Sequence, residues 1–266
     1  MPDALILAAH GSRHPGAMTP LCAFRDRLAL DHPGFRVEIA RTVGRQHGSA
    51  AAYGGARQVS AVLAALIESG VTRVAVQSLH VVPGEEYHEM LSGLRRTLED
   101  SRGALSLSVG APLLSDQADV DRVVGAILET LPQSRAPGEA VVLMGHGAPP
   151  PGAGFYAALR QRLFRLDPLV HFGTMPRERG EPCPDIVGIR DELVARRVGT
   201  AWLIPFFTVA GAHACSDLAG DKAGSWRGVL EAAGIDCRAR LAGLIESDAF
   251  TAVWRGHLAK ALARLT

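Results

Sequence analysis

The 266-residue chain is poor in lysine, with Lys222 and Lys260 as its only two. Its other basic residues are arginines, which reflects either genome composition or a need for planar forks that grip carboxylates. It also has no basic excess: the formal net charge is +1. That balance excludes nucleic-acid binding driven by bulk charge, because phosphate neutralisation needs a surplus of cations. Four cysteines (Cys22, Cys183, Cys215 and Cys237) are scattered without a CxxC pair, so neither a disulfide framework nor a structural zinc site is expected. No stretch approaches the roughly 20 apolar residues that span a bilayer. The first residues, MPDALILAAHGSR, lack the basic segment of a signal peptide. A soluble, cytoplasmic protein is expected, with no nucleic-acid or membrane partner.

What is present is ordinary globular composition, 47% hydrophobic and 21% charged, enough for a sizeable core without staples. The length suits one large domain or two medium ones. Short apolar runs alternate with amphipathic stretches of helical length. Strands are expected at Ala4–Ala9, Phe35–Val43, Arg73–Leu79 and Leu105–Val109, then at Ala140–Met144, Leu169–Thr174, Ala201–Phe207 and Cys237–Leu241. Helices are expected over 56–69, 185–197 and 247–265. Near-continuous apolar strands that alternate with helices indicate parallel sheets covered on both faces.

The β-α-β-α-β-α-β-α order occurs twice, joined by the Pro/Gly/polar stretch PQSRAPGE at 132–139. LILAAHGSR opens the first half and VVLMGHGAP the second, each an apolar strand that ends in His-Gly. Aligning Gly84 with Gly211 sets Glu86 opposite His213. The expected architecture is therefore two similar Rossmann-like or flavodoxin-like lobes, 1–135 and 136–266, with the active site in the cleft between them. Open α/β sheets bind ligands beyond the carboxyl ends of their strands. His10, His80, Glu85, Glu86, His146 and His213 all fall there.

Several of these residues carry two readings. His146, between two glycines in LMGHG, is either a helix-capping histidine or an imidazole that substrate can approach closely. His10 repeats that signal in the first half; its similarity to the Arg-His-Gly of histidine phosphatases is weak, because Ala9 precedes it. His213 has Asp217 four residues on, placed to orient its ring or to cap the next helix. Glu85 and Glu89 sit in a first helical turn, where carboxylates suit the dipole, or with His88 collect a cation. The spacing is not HExxH. Imidazoles with carboxylates suit a labile divalent transition metal better than Mg or Ca.

QSLHVVPGEEYHEM, the GHG at 145–147 and PFFTVAGAHACSDLAGDKAGSW resemble the long, two-lobe anaerobic sirohydrochlorin cobaltochelatases, class II chelatases with a ferrochelatase-like fold. The similarity spans nearly the whole chain, in order and with matching spacing. It implies a lyase of cobalamin and porphyrin biosynthesis that inserts Co²⁺ into sirohydrochlorin, or precorrin-2, without ATP or an organic cofactor. Fe²⁺, Ni²⁺ or Zn²⁺ chelation and a non-catalytic tetrapyrrole or metal carrier are the alternatives. The resemblance makes His146 and His213 the catalytic, metal-binding histidines. The family's third ligand, a Glu in a segment like GTVEGYP, corresponds to the altered GTMPRERGEPCP, where Glu181 fits first and Glu178 second. His10, Arg13, Arg41, Glu86 and His88 are the candidates for substrate binding, because the eight carboxylates of sirohydrochlorin need Arg forks or N–H groups. Leu79, Val81, Phe206 and Phe207 are either walls for the ring or core. HGSR departs from the Phe-Gly-Thr-Ser of many long forms and is similar to shorter or divergent chelatases, in which such a His is catalytic. PPPGAG at 149–154 stands where the family has Glu-His. The oligomeric state is left open, with a homo-oligomer among the options.

Overall fold

A computed structural model describes residues 3–42, 54–101, 103–175 and 182–265. Among them the strands are β1 (Asp3–Ala9), β2 (Phe35–Arg41), β3 (Arg57–Gln58), β4 (Arg73–Ser78), β5 (Ser106–Gly110), β6 (Ala140–Gly145), β7 (Val170–Thr174), β8 (Thr200–Pro205) and β9 (Asp236–Ala239). The helices are α1 (Met18–Asp31), α2 (Val59–Glu68), α3 (Glu85–Asp100), α4 (Gln117–Glu129), α5 (Gly152–Leu166), α6 (Ile186–Ala195), α7 (Trp226–Glu231) and α8 (Asp248–Leu262). Each of the eight expected strands is found, with ends displaced by at most two residues. The two-residue β3 had no pattern to reveal it.

The strands form two parallel sheets, ordered β3-β2-β1-β4-β5 and β7-β6-β8-β9. Disregarding β3, both follow one plan: the first strand is central, the second lies on one side, and the third and fourth lie on the other. Duplicated topology thus accompanies the repeated His-Gly. Both faces of the central strands are covered. Along β1, Ala4, Ile6 and Ala8 join Val62, Leu63, Val74, Val76 and Leu94 in one core. In the second sheet, Val142, Met144 and Leu203 pack with Ile189, Leu193, Trp226 and Leu230. Each such side chain of Val, Leu or Ile size stabilises by roughly 1.5–3 kcal/mol on full burial.

The chain separates into two compact units, 1–115 with 250–266, and 116–249. A division at 135/136 differs from this partition at both closing helices. α4 belongs with the second sheet: Arg162 on α5 pairs with Asp121 and reaches Gln117 at 3.3 Å, and Arg240 donates to the Thr130 carbonyl. α8 belongs with the first: Arg264 donates to Val109 O at 2.8 Å, and His257 Nδ1 to Ala111 O at 3.2 Å. Each closing helix therefore caps the sheet of the other half-sequence. Among the described residues no helix is long and apolar enough to cross a membrane.

Candidate metal and proton-transfer site

Within each unit the chain crosses from one side of its first strand to the other, which makes the strand order reverse beside that strand. Such a switch point leaves a crevice at the carboxyl ends, where ligands settle in open α/β sheets. In the first unit His10 follows β1, Thr42 follows β2, and His80 stands two residues beyond β4. In the second, His146 follows β6, and β8 leads through Phe206 and Phe207 to His213.

Both His-Gly pairs have a backbone cause. Gly11 (φ 98) and Gly147 (φ 81) lie in the left-handed region, which a side chain at Cβ disfavours. Gly145 is small for another reason: an added Cβ would stand 2.9 Å from Cζ of the buried Phe172. The glycines flanking His146 thus serve the turn and the core, not substrate access alone.

In the second unit the rings of His146 and His213 lie 5.2 Å apart at 72°. Phe207 stands against both, 6.4 Å from His146 and 6.2 Å from His213. His213 opens a short π-helical turn, Ala214–Leu218, which carries Asp217 back under the ring. His213 Nδ1 lies 2.6 Å from Asp217 Oδ2. A carboxylate only accepts, so Nδ1 carries the proton, and in the neutral ring Nε2 presents its lone pair. Both imidazoles are exposed. Phe206 and Leu79 are fully buried core residues, while Phe207 is only partly buried.

In the first unit His10 Nδ1 donates to Glu86 Oε2 at 2.5 Å. Thr42 Oγ1 approaches the same oxygen at 3.4 Å and His80 Nε2 at 3.0 Å, and Ser78 Oγ lies 2.9 Å from His80 Nδ1. Burial pushes the His80 imidazole down to about 4, against the pull of Glu86 and with a push from His10. Burial raises the Glu86 carboxyl, but the hydrogen bond from His10 and the two imidazoles outweigh it and hold it below the ordinary value.

The other expected residues are dispersed. His88 is exposed on the first turn of α3, its ring 5.5 Å from that of Tyr87. Glu85 is exposed on the same turn and Glu89 just beyond it. Arg13 is exposed in the loop after His10, whereas Arg41 is buried at the end of β2, with Nε donating to Ala56 O at 3.2 Å. Glu181 and Glu178 lie outside the described residues. Among the described residues, no group of three or more His, Cys, Asp or Glu side chains is set to hold a metal ion. Thr42 and Ser78 were missed by sequence reasoning; their one signal is a hydroxyl at a strand's carboxyl end.

The chain matches the model of the family described as cobalt chelatase (CbiK) over residues 3–263. It belongs to that family. It is 37% identical to the sirohydrochlorin cobaltochelatase CbiKC of Nitratidesulfovibrio vulgaris, across 98% of this chain and 91% of that one. It is 34% identical to the sirohydrochlorin cobaltochelatase of Salmonella typhimurium, across 74% of this chain and 71% of the other. Among solved structures, the sirohydrochlorin chelatase SirB of Bacillus subtilis subspecies spizizenii, in complex with cobalt, superposes with a TM-score of 0.62. At 15% identity over 98% of this chain and 95% of that one, the likeness bears on the fold alone. For a CbiK-family chelatase the metal ion is a substrate, so loosely held, exchangeable donors suit the chemistry better than a closed cage.

Proposed function

We propose that this chain inserts Co²⁺ into sirohydrochlorin, or its precorrin-2 relative, without ATP, as the early cobalt-insertion step toward cobalamin. The observation that carries this is the His146–His213 pair, with rings 5.2 Å apart and His213 held through Nδ1 by Asp217, which leaves Nε2 as the bare nitrogen of the neutral ring. Insertion exchanges one M²⁺ for the two pyrrole N–H protons and leaves the macrocycle otherwise unchanged. Pyrrole N–H groups are weak acids, so a base must take each proton as the metal–nitrogen bonds form. One imidazole lone pair cannot hold a metal and accept a proton at once. His146 and His213 therefore bind the arriving ion and relay protons after it has moved on. Glu181, with Glu178 as second choice, completes the metal's donor set.

Glu86 offers a carboxylate to neutralise charge and accept a proton. His10 and His88 contact the tetrapyrrole, and Arg13 offers its guanidinium to a ring carboxylate. Arg41 contributes by holding the Ala56 segment, not as an open fork. Fe²⁺, Ni²⁺ and Zn²⁺ are the rival metals, because imidazole donors accept all of them. The test is anaerobic mixing of protein, sirohydrochlorin and Co²⁺, followed by absorbance against a protein-free control. Multiple turnovers support the chelatase, and initial rates with each metal rank the rivals. Stoichiometric binding without turnover would replace it with a carrier.

A further inference from the structure

The polar side chains at the carboxyl ends of the first sheet form one connected chain whose hydrogens can be assigned. The Glu86 carboxylate and the Ala9 carbonyl only accept, and Thr42 Oγ1 faces both, at 3.4 and 3.2 Å. The Thr42 hydroxyl proton goes to one of them. Its lone pair is then left for the Nε2–H of His80, 3.0 Å away. A neutral ring protonated at Nε2 has a bare Nδ1, which accepts from Ser78 Oγ–H at 2.9 Å. From the opposite side His10 Nδ1 donates to the same Glu86 oxygen at 2.5 Å. The Ala9 carbonyl already accepts from Thr42 N–H at 2.8 Å; with the hydroxyl proton on Glu86, every donor in the chain points toward that carboxylate.

Both nitrogens of His80 are occupied, and its side chain is only 10% exposed, against 59% for His10 and 33% for Glu86. The ring is too enclosed to meet a macrocycle. We infer that His80, acting through Thr42, is a positioning residue for the Glu86–His10 pair. Clamping Glu86 Oε2 between Thr42 and His10 fixes Nδ1 as the protonated nitrogen of His10, so that in the neutral ring Nε2 is the bare one. The catalytic use of that pair rests on the function proposed above; the direction of the hydrogen-bond chain does not.

The test combines steady-state cobalt insertion with ring ¹⁵N NMR of histidine-labelled protein. Thr42→Val removes the hydroxyl and keeps the shape, and Thr42→Ser restores it. Thr42→Val is expected to lower kcat about tenfold with KM within about twofold, while Thr42→Ser stays within about twofold of wild type. If Thr42→Val fails to fold, His80→Gln against His80→Ala replaces it, and the donor-bearing Gln is the faster. In the wild-type spectrum His80 should carry its proton on Nε2 and His10 on Nδ1. A His80 proton on Nδ1 overturns the inference, as does Thr42→Val with wild-type kcat or Thr42→Ser as slow as Thr42→Val. A wild-type chain that inserts no cobalt removes the proposed function; the NMR arm then decides by itself whether His80 positions the pair.

Discussion

Acidification should destabilise this protein through His80. Burial holds its imidazole at about 4 in the folded chain, against an ordinary value of 6.5. Above 6.5 the ring is neutral in both states and costs nothing. As the pH falls below that value the unfolded chain binds a proton that the folded chain refuses, so stability is lost until the folded ring also titrates near 4. The gap amounts to about 3 kcal/mol when complete, and about 2 kcal/mol of it falls between pH 7 and pH 5. His171, also held low by burial although Glu192 pulls the other way, adds a loss in the same direction. The assay is therefore a difference. Urea unfolding of wild type and His80→Gln is measured at both pH values, and the change in midpoint is converted with a common slope. Wild type should lose about 2 kcal/mol more than the variant. Equal losses would refute the assignment of His80 as a buried neutral ring.

Replacing His146 or His213 with Ala should lower cobalt insertion by at least about a hundredfold in kcat, measured with sirohydrochlorin under anaerobic conditions. Asp217→Asn leaves His213 in place but weakens the hold on its Nδ1, and kcat should fall by about tenfold in the same assay. Gly243→Ala would set a Cβ 2.6 Å from Val209 Cα and 2.7 Å from Thr208 O, in the loop that leads to His213. Calorimetry should show a loss of about 1–3 kcal/mol for that variant, and kcat should fall with it. Phe172 is fully buried between Tyr156 and Phe206, at ring distances of 5.3 and 5.2 Å. Phe172→Ala should cost about 3–5 kcal/mol in denaturant unfolding.

Much of the fold was legible because its signals are local. The apolar run ALILAA marks β1, which is buried on both faces. The spacing of Val59, Val62, Leu63 and Leu66 marks the inward face of α2. Asp217 was legible for the same reason, since it lies one helical turn from His213. The short β3 was not, because Arg57 and Gln58 owe their extended form to pairing with Ala40 and Arg41. Arg41 illustrates the opposite failure. Its position at a strand end was legible, but its burial against Ala56 was set by neighbours far along the chain.

The sequence by itself determined the two parallel α/β halves, the family and the two His-Gly turns, because periodicity, motif and backbone preference act over a few residues. Which helix closes which sheet was decided only in three dimensions. Neither the local pattern of α4 nor that of α8 names a sheet, and only their contacts send each to the other half's sheet. The chain linking Ser78, His80, Thr42, Glu86 and His10 was likewise a product of tertiary structure. Its members come from four separate segments, and an order among hydrogen-bond donors exists only once folding has brought the acceptors within 3.5 Å.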